Sequence, residues 1–388
     1  MIEMRIPIVV VAYNRPRSLT RLLNSLQKAN YPYEDIDLII SIDKADNNRD
    51  VLDLANAFQW HHGTKEVVYQ ENNLGLRQHI LKCGGYSLHY GAVIVLEDDL
   101  YVSPNFYLFA EQALNFSSKE PSIGGVSLYN HQLNVHTREN FSPHQDGYDN
   151  WYFQFASSWG QAWTREQWSG FMDWYKKNPD IDNNQDVPSY VRSWSPKSWL
   201  KYNIAYLVEK DLYFLYPKIS LTTNFSDAGT HVGNDTTIFQ VPLDYGNRSS
   251  KFYFSTTKES KSIYDAYFEN LRIPETIGMA KDDICVDLYG CKSNNRKRYL
   301  LTQKILNYKI LRSFGKSLKP HDDNIINKID GYDIFLYDTS IKRKNSFKTN
   351  LIRKAEYDFK QLSYRLMLNL IFEKFVTRIG SIRKKIIK

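Results

Sequence analysis

Residues 92–100 read Ala92-Val-Ile-Val-Leu-Glu-Asp-Asp-Leu100, five apolar residues followed by three consecutive acids. The apolar run is a strand buried on both faces, the type found inside a parallel sheet. Glu97, Asp98 and Asp99 then fall at its carboxyl end, where open α/β sheets bind their ligands. Three adjacent carboxylates repel one another. A solvated turn would tolerate them, and so would a positive group. A divalent cation carrying a diphosphate is the simplest such group, because hard Mg²⁺ or Mn²⁺ favours carboxylate and phosphate oxygens.

Upstream of this stretch the pattern alternates. Ile6 to Val11 is a first buried strand, and Pro16 and Ser18 open an amphipathic helix with Leu19, Leu22, Leu23 and Leu26 at helical spacing. Asp37 to Ile42 is a second strand, a helix covers roughly 50–60, and Glu66 to Tyr69 is a third strand. Asn72-Asn-Leu-Gly-Leu-Arg77 is a turn leading into another helix. Strand alternating with helix predicts an α/β fold with a parallel sheet and right-handed crossovers. Downstream come a helix at 105–117, a strand at Ile123 to Leu128, an aromatic segment from Trp151 to Trp174, a helix from about Pro196 to Glu209, and a strand from Tyr216 to Thr222. The stretch 245–335 gives no clear pattern.

The bulk properties bound the class. The 388 residues are 42% hydrophobic and 24% charged, ordinary for a chain with a real core. Aromatic residues reach 14%, which suits sugar-stacking surfaces as well as ordinary cores. Cys83, Cys285 and Cys291 lack metal-ligand spacing and argue against a disulfide framework. No signal peptide opens the chain and no run of eighteen apolar residues occurs, so a cytoplasmic location is expected and the five Asn-x-Ser/Thr sequons read as chance. Residues 341–388 hold fourteen Lys or Arg against three acids, a charge of +11, so the rest of the chain carries −4 out of the net +7. A basic excess confined to one tail suits an acidic surface and disfavours a nucleic-acid binder.

Single motifs narrow the chemistry further. The first βα turn, Ala12-Tyr13-Asn14-Arg15, has no Gly-x-Gly-x-x-Gly and no Gly-Lys-Ser/Thr, against a dinucleotide fold or a P-loop enzyme. It can stack a base and hold a ribose or phosphate, or simply cap the helix. Asp43 at the end of the second strand could accept from a ribose hydroxyl or a base N–H, or be a solvated loop acid. Arg77 could pair with a diphosphate or with the acids. His231, between Gly229 and Gly233, is a candidate divalent-metal ligand.

Taken together, Pro7-Ile-Val-Val-Val-Ala-Tyr-Asn-Arg15, Val95-Leu-Glu-Asp-Asp-Leu-Tyr-Val-Ser-Pro-Asn-Phe106 and Tyr216-Pro-Lys-Ile-Ser-Leu followed by Gly229-Thr-His231 resemble the nucleotide-sugar glycosyltransferases of the GT-A fold. Within that group the likeness is to the Golgi N-acetylglucosaminyltransferase that begins complex N-glycans and to bacterial surface-polysaccharide enzymes. The resemblance implies a catalytic domain over 1–245, with a nucleotide-sugar half to about 130 and an acceptor half over 131–245. An extension over 246–335 and a basic helical tail over 336–388 would follow. It implies that Asp99 binds Mn²⁺ or Mg²⁺ on the diphosphate of a UDP-sugar, with His231 near the metal. Ala12, Tyr13, Asn14, Arg15, Asp43, Arg77, Glu97 and Asp98 would then surround the nucleotide sugar.

One departure stands out. The family's acceptor-activating carboxylate lies in a helix resembling Trp194-Ser-Pro-Lys-Ser-Trp-Leu-Lys-Tyr202, where this chain has Lys201 and Tyr202. Asp186 is taken as the substitute base, with Asp146, Asp173 and Asp227 as alternatives. In the tail, Leu362, Leu366, Leu370 and Phe375 with Arg353, Lys354, Arg365, Lys374, Arg378 and Arg383 to Lys385 predict a helix for an anionic membrane surface or for subunit packing. The expected function is an inverting, metal-dependent transfer of a sugar to a glycan or lipid-linked glycan. The alternatives are a non-catalytic glycan- or membrane-binding protein that kept the fold, and a sugar nucleotidyltransferase.

Overall fold

The strand that carries the acid triplet, Ala92–Glu97, lies inside a nine-stranded sheet, and its five apolar residues are fully buried. The structure is a computed structural model that describes residues 5–181, 184–225, 227, 238–246, 251–292, 297–345, 360 and 362–386. In chain order the strands are β1 (Ile8–Ala12), β2 (Leu38–Ile42), β3 (Lys65–Tyr69), β4 (Ala92–Glu97), β5 (Leu100–Val102), β6 (Ile123–Ser127), β7 (Asn150–Phe153), β8 (Gln161–Thr164), β9 (Tyr213–Pro217), β10 (Thr222–Asn224) and β11 (Ile263–Tyr264). The large sheet runs β11-β7-β9-β6-β8-β4-β1-β2-β3. Five of its eight pairings are parallel, with β8 antiparallel to both β4 and β6, and β7 antiparallel to β9. It is a mostly parallel α/β fold, as the alternation predicts, and is consistent with the GT-A type that the resemblance implies. β5 and β10 form a separate antiparallel ribbon directly after the triplet.

The helices are α1 (Pro16–Gln27), α2 (Arg49–Ala57), α3 (Gly75–Gly84), α4 (Ser87–Tyr90), α5 (Phe106–Ser117), α6 (Arg165–Lys177), α7 (Ser189–Arg192) and α8 (Trp199–Glu209). Pro16 at the first position of α1 presets the helical φ where no N–H is needed. Strand alternation divides the core between the two faces of the sheet. Ile8, Val10, Ile94 and Leu96 pack on one side with Leu19, Leu22 and Phe109. Val9, Val11, Val93 and Val95 pack on the other with Trp163, Trp168 and Tyr206. Each such side chain removed from water contributes about 1.5–3 kcal/mol, so the strand beneath the acids is firmly anchored. Gly84 lets α3 approach α6, because a Cβ there would lie 2.2 Å from the Trp168 ring.

The sequence expectation of one strand over Tyr216 to Thr222 resolves into two, β9 and β10, with Lys218–Leu221 turning between sheets. Residues 246–335 also take shape. β11 joins the large sheet, α9 (Ile273–Thr276) and α10 (Asp322–Ile326) are short helices, and β12 (Ile284–Asp287), β13 (Tyr299–Thr302), β14 (Tyr308–Phe314) and β15 (Ile334–Lys342) form a second sheet in the order β12-β13-β15-β14. By contacts the chain divides into one unit of Met1–Lys304 with Ile310–Ser340 and another of Ile305–Lys309 with Ile341–Lys388. The second contains a helix at Tyr364–Ile386. Among the described residues no helix is long and apolar enough to cross a membrane.

Candidate active site

The carboxyl ends of β1, β2 and β4 converge because the three strands are parallel and in register, Val11 pairing with both Ser41 and Glu97. This brings the first βα turn against the acid triplet. Arg15 at the start of α1 forms ion pairs with both Asp98 and Asp99, the latter at 3.0 Å. The Tyr13 amide donates to Asp98 Oδ2 at 3.4 Å. The positive group that the triplet called for is therefore built into the chain. It does not satisfy the whole cluster, since Asp99 Oδ1 is buried without a hydrogen-bond partner among the described residues.

The electrostatics follow from burial. Burial, opposed by Arg15 and helped by the charge of Asp99, pushes the Asp98 carboxyl up to about 6. Glu97 is half-buried, and burial together with Asp99 pushes it up to about 8. Burial alone would lower the Arg15 guanidinium, but Asp98 and Asp99 outweigh it and hold the group above its ordinary value. Three acids thus share one fixed cation, and one oxygen is left open to another.

The remaining nucleotide-site candidates fall into three groups. Ala12 and Tyr13 stand at the tip of β1, and Asn14 is exposed beside them. Asp43 is buried and engaged with backbone: Oδ1 accepts from the Leu74 amide at 2.8 Å and Oδ2 from the Gly75 amide at 2.9 Å. It thereby fixes the turn that starts α3. Arg77 points away from the triplet, donating to the Pro196 carbonyl at 2.6 Å and to Tyr202 Oη at 3.3 Å. It links α3 to the aromatic α8 and holds no acid of the triplet. His231 lies outside the described residues.

The four candidate bases separate clearly. Asp146 is buried with Lys218 at 3.4 Å and accepts from Ser260 and Lys261. Asp173 is exposed on α6 beside Lys176. Asp227 accepts from Ser18 at 2.6 Å and pairs with Arg21, which stacks on Phe225, so it is clamped to α1. Asp186 is exposed and lines a cavity of about 410 Å³ together with Gln154, Asp211, Asp265 and Glu269. Gln154 and Asp211 sit where β7 ends and β9 begins, at the end of the sheet away from the triplet. Asp186 thus shares a cavity with Gln154 and Asp211, and none of the triplet acids lines it. Lys201 is buried in α8 and donates to the Trp194 carbonyl at 3.3 Å.

Several neighbours of the site had no clear signal in the sequence. Asn48 is buried and donates to the Tyr13 and Asp43 carbonyls at 2.6 and 2.8 Å, and Asn73 donates to the Lys44 carbonyl at 2.7 Å. On the other side of β4, Val95 pairs with Gln161 of β8, so Gly160 and Trp159 lead away from the same edge. The Trp159 carbonyl accepts from Thr222 Oγ1 at 2.5 Å, and Thr222 pairs with Val102 in the ribbon. Gly160 is needed there, having φ +94° and room for no Cβ within 2.9 Å of Thr222.

A mostly parallel sheet thus gathers acids, an arginine and a tyrosine at the carboxyl ends of its strands, where open α/β sheets bind their ligands. Residues 8–167 match the family model described as Glycosyl transferase family 2. No curated protein matches the chain. Solved structures that resemble it include a mannosyltransferase, PcManGT, from Pyrobaculum calidifontis in complex with GDP-Man and Mn²⁺ (14% identity, 42% of this chain and 45% of that one, TM-score 0.31). Others are S. aureus TarS 1–349 (14% identity, 55% and 60%, TM-score 0.30) and GalNAc-T7 with UDP, GalNAc and Mn²⁺ (12% identity, 56% and 43%, TM-score 0.36). This chain spans less than two thirds of the length of each of them.

Proposed function

We propose that this protein transfers a sugar from a nucleotide donor, a UDP-sugar, to a glycan or lipid-linked glycan of the cell surface, with inversion and with Mn²⁺ or Mg²⁺. The observation that carries the reading is the unpartnered, buried Asp99 Oδ1 at the tip of β4, beside two further acids and a single arginine. Such a site fits a divalent ion held by one carboxylate plus phosphate oxygens and water, the usual Mg²⁺ arrangement. Among the described residues no group of three or more ligating side chains, the triplet included, is gathered to hold a metal ion by itself, so phosphate oxygens and water would have to complete the shell. When bound, the ion would neutralise charge on the departing diphosphate. The chain's own residues do the rest. Asp99 anchors the phosphate end, Arg15 holds Asp98 and Asp99 in place, and Asp43 fixes the 73–75 turn over the nucleotide side.

The test is a panel of nucleotide sugars with Mn²⁺, read as nucleoside-diphosphate release and as a thermal shift. Release with a UDP-sugar supports the reading; neither release nor shift with any UDP-sugar sinks it. A second reading, a binding protein without turnover, is favoured by one observation: buried Lys201 stands where the family's acidic helix would supply a base. A UDP-sugar thermal shift with no release in the presence of any acceptor would select it.

The tail belongs to the same proposal. In the helix Tyr364–Ile386, Leu366, Leu368, Leu370, Ile371, Phe372, Phe375 and Val376 are all exposed, within a segment of charge +11. An apolar face amid Lys and Arg suits an anionic bilayer, where a lipid-linked acceptor would reside. Liposomes containing phosphatidylserine should co-sediment the full chain and not one ending at residue 340; equal sedimentation removes this part.

A further inference from the structure

His131 is a buried polar side chain whose Nε2 has no hydrogen-bond partner among the described residues. It follows β6, is 3% exposed, and neither ring nitrogen hydrogen-bonds a described residue; Nε2 is buried outright. Rings surround it: Tyr129 at 5.2 Å, Phe153, Trp159 and Tyr216 at 5.7 Å, Phe268 at 5.8 Å and Phe155 at 6.1 Å. Burial, and then the neighbouring His136, lower its pKa to about 3, so the imidazole is neutral and offers one donor and one acceptor. A buried polar group without a partner costs free energy, which a ligand that supplies the partner returns.

His131 lines a cavity of about 150 Å³ with Phe155, Trp159, Tyr190 and Trp194, and with Arg138 at the rim. The cavity runs from Phe155, just beyond the end of β7, to Trp159, just before β8. Trp159 leads through Gly160 into β8, whose Gln161 pairs with Val95 of β4, and its carbonyl is tied through Thr222 to the ribbon that begins at Leu100. Trp159 is half-buried, and its ring lies 4.9 Å from that of Phe239 with the planes tilted by 37°. Flat apolar walls with one fixed hydrogen-bonding group suit a pyranose ring, whose C–H face packs on an aromatic ring while its hydroxyls seek polar partners.

We infer that the cavity around His131 and Trp159 is the subsite for the acceptor's terminal sugar ring, with Trp159 as its stacking platform and His131 as the group that hydrogen-bonds a ring hydroxyl. The inference rests on the glycosyltransferase reading and adds the acceptor's binding residues to it. His131 is a specificity-determining residue in this account, since an unpaired buried imidazole penalises a sugar lacking the matching hydroxyl.

The probes are methyl β-glycosides of glucose, galactose and N-acetylglucosamine, titrated into the full-length protein with tryptophan fluorescence and ligand-observed NMR as readouts. At least one should bind saturably. Trp159→Ala should weaken that glycoside at least about tenfold, and His131→Phe should narrow the difference between it and its epimer. Circular dichroism melts establish that each variant is folded; should His131→Phe not fold, His131→Gln, which keeps a donor and an acceptor, should retain binding. No saturable binding by any glycoside, or equal binding by Trp159→Ala, overturns the inference. UDP with Mn²⁺, titrated separately into the wild-type protein, reports on the donor reading alone, so glycoside failure with intact UDP binding condemns only the subsite.

Discussion

Two groups of acids sit at opposite ends of the central sheet, and they are balanced differently. At the far end, Asp265 pairs with Lys292 at 2.6 Å and Asp287 with Lys304 at 3.3 Å. Glu269 accepts from the Tyr289 amide at 2.9 Å, and burial holds its carboxyl well above the usual range. Asp265 and Asp287 thus each have a lysine, while Glu269 Oε2 is buried without a partner among the described residues. At the tip of β4 three acids share Arg15, and Asp99 Oδ1 has no partner. Acids matched by cations within the fold serve as scaffold. What sets the tip of β4 apart is that adjacent acids there have one arginine among them.

The comparison breaks most visibly at the lysine. Lys292→Met should leave Asp265 uncompensated and destabilise the protein by roughly 3 kcal/mol, the low end for a broken buried pair because both partners keep some solvent. Chemical denaturation measures this, and UDP affinity should not change. A loss under about 1 kcal/mol would mean that the far-end pairing is dispensable and the contrast false. At the other end the same kind of change should touch function instead. Asp99→Asn should lower sugar-nucleotide turnover about 100-fold while the melting temperature holds or rises, since it removes one of three repelling charges. Turnover within threefold of wild type would remove Asp99 from the site.

Acid should separate the two ends from the neutral groups around them. His131 is held down to about 3 and His79, buried against Ser41 and opposed in part by Asp43, down to about 4. Both folded-state values lie below the unfolded value of about 6.5, so the unfolded chain takes up the protons. Their contribution is complete above that value and is lost as pH falls from about 6.5 towards 4, on the order of 2 kcal/mol. Urea midpoints at pH 7 and pH 4.5 measure it, and His131→Phe should flatten the slope. An unchanged slope would show that His131 is not buried neutral. The smallest effect belongs to Gly160, where Ala must adopt φ +94° against Thr222 and should cost about 1–2 kcal/mol by thermal melting; no cost would mean that the Trp159 turn is loosely held.

Much of this was legible because it is local. The run Ala92 to Leu96 and its acids gave the strand, its burial and its ligand end, and the leucines of α1 gave a helix at its observed place. Asp43 and Arg77 were harder. Their partners, the Leu74 and Gly75 amides and the Pro196 carbonyl, lie 31 to 119 residues away, and one charged side chain does not announce such a partner. Asp186 has no local signal either, since the cavity it lines with Gln154 and Asp211 is assembled from distant parts of the chain. The strands β11 to β15 are short and pair over long range, with neither strict alternation nor a sustained apolar run. His131 and Trp159 stayed hidden because an aromatic segment reads the same whether its rings meet each other or a ligand.

The strand beneath the acids has one more consequence. β4 is bonded to β1 on one side and β8 on the other, and its residues from Ala92 to Leu96 are wholly shielded. Its amides should be among the last in the molecule to exchange with deuterium. The reactive tip is thus mounted on the stiffest segment of the sheet, and little disorder remains there to be lost when a ligand arrives. Affinity at the acids should accordingly depend on their charge and geometry, with scarcely any contribution from local reordering of the strand that bears them.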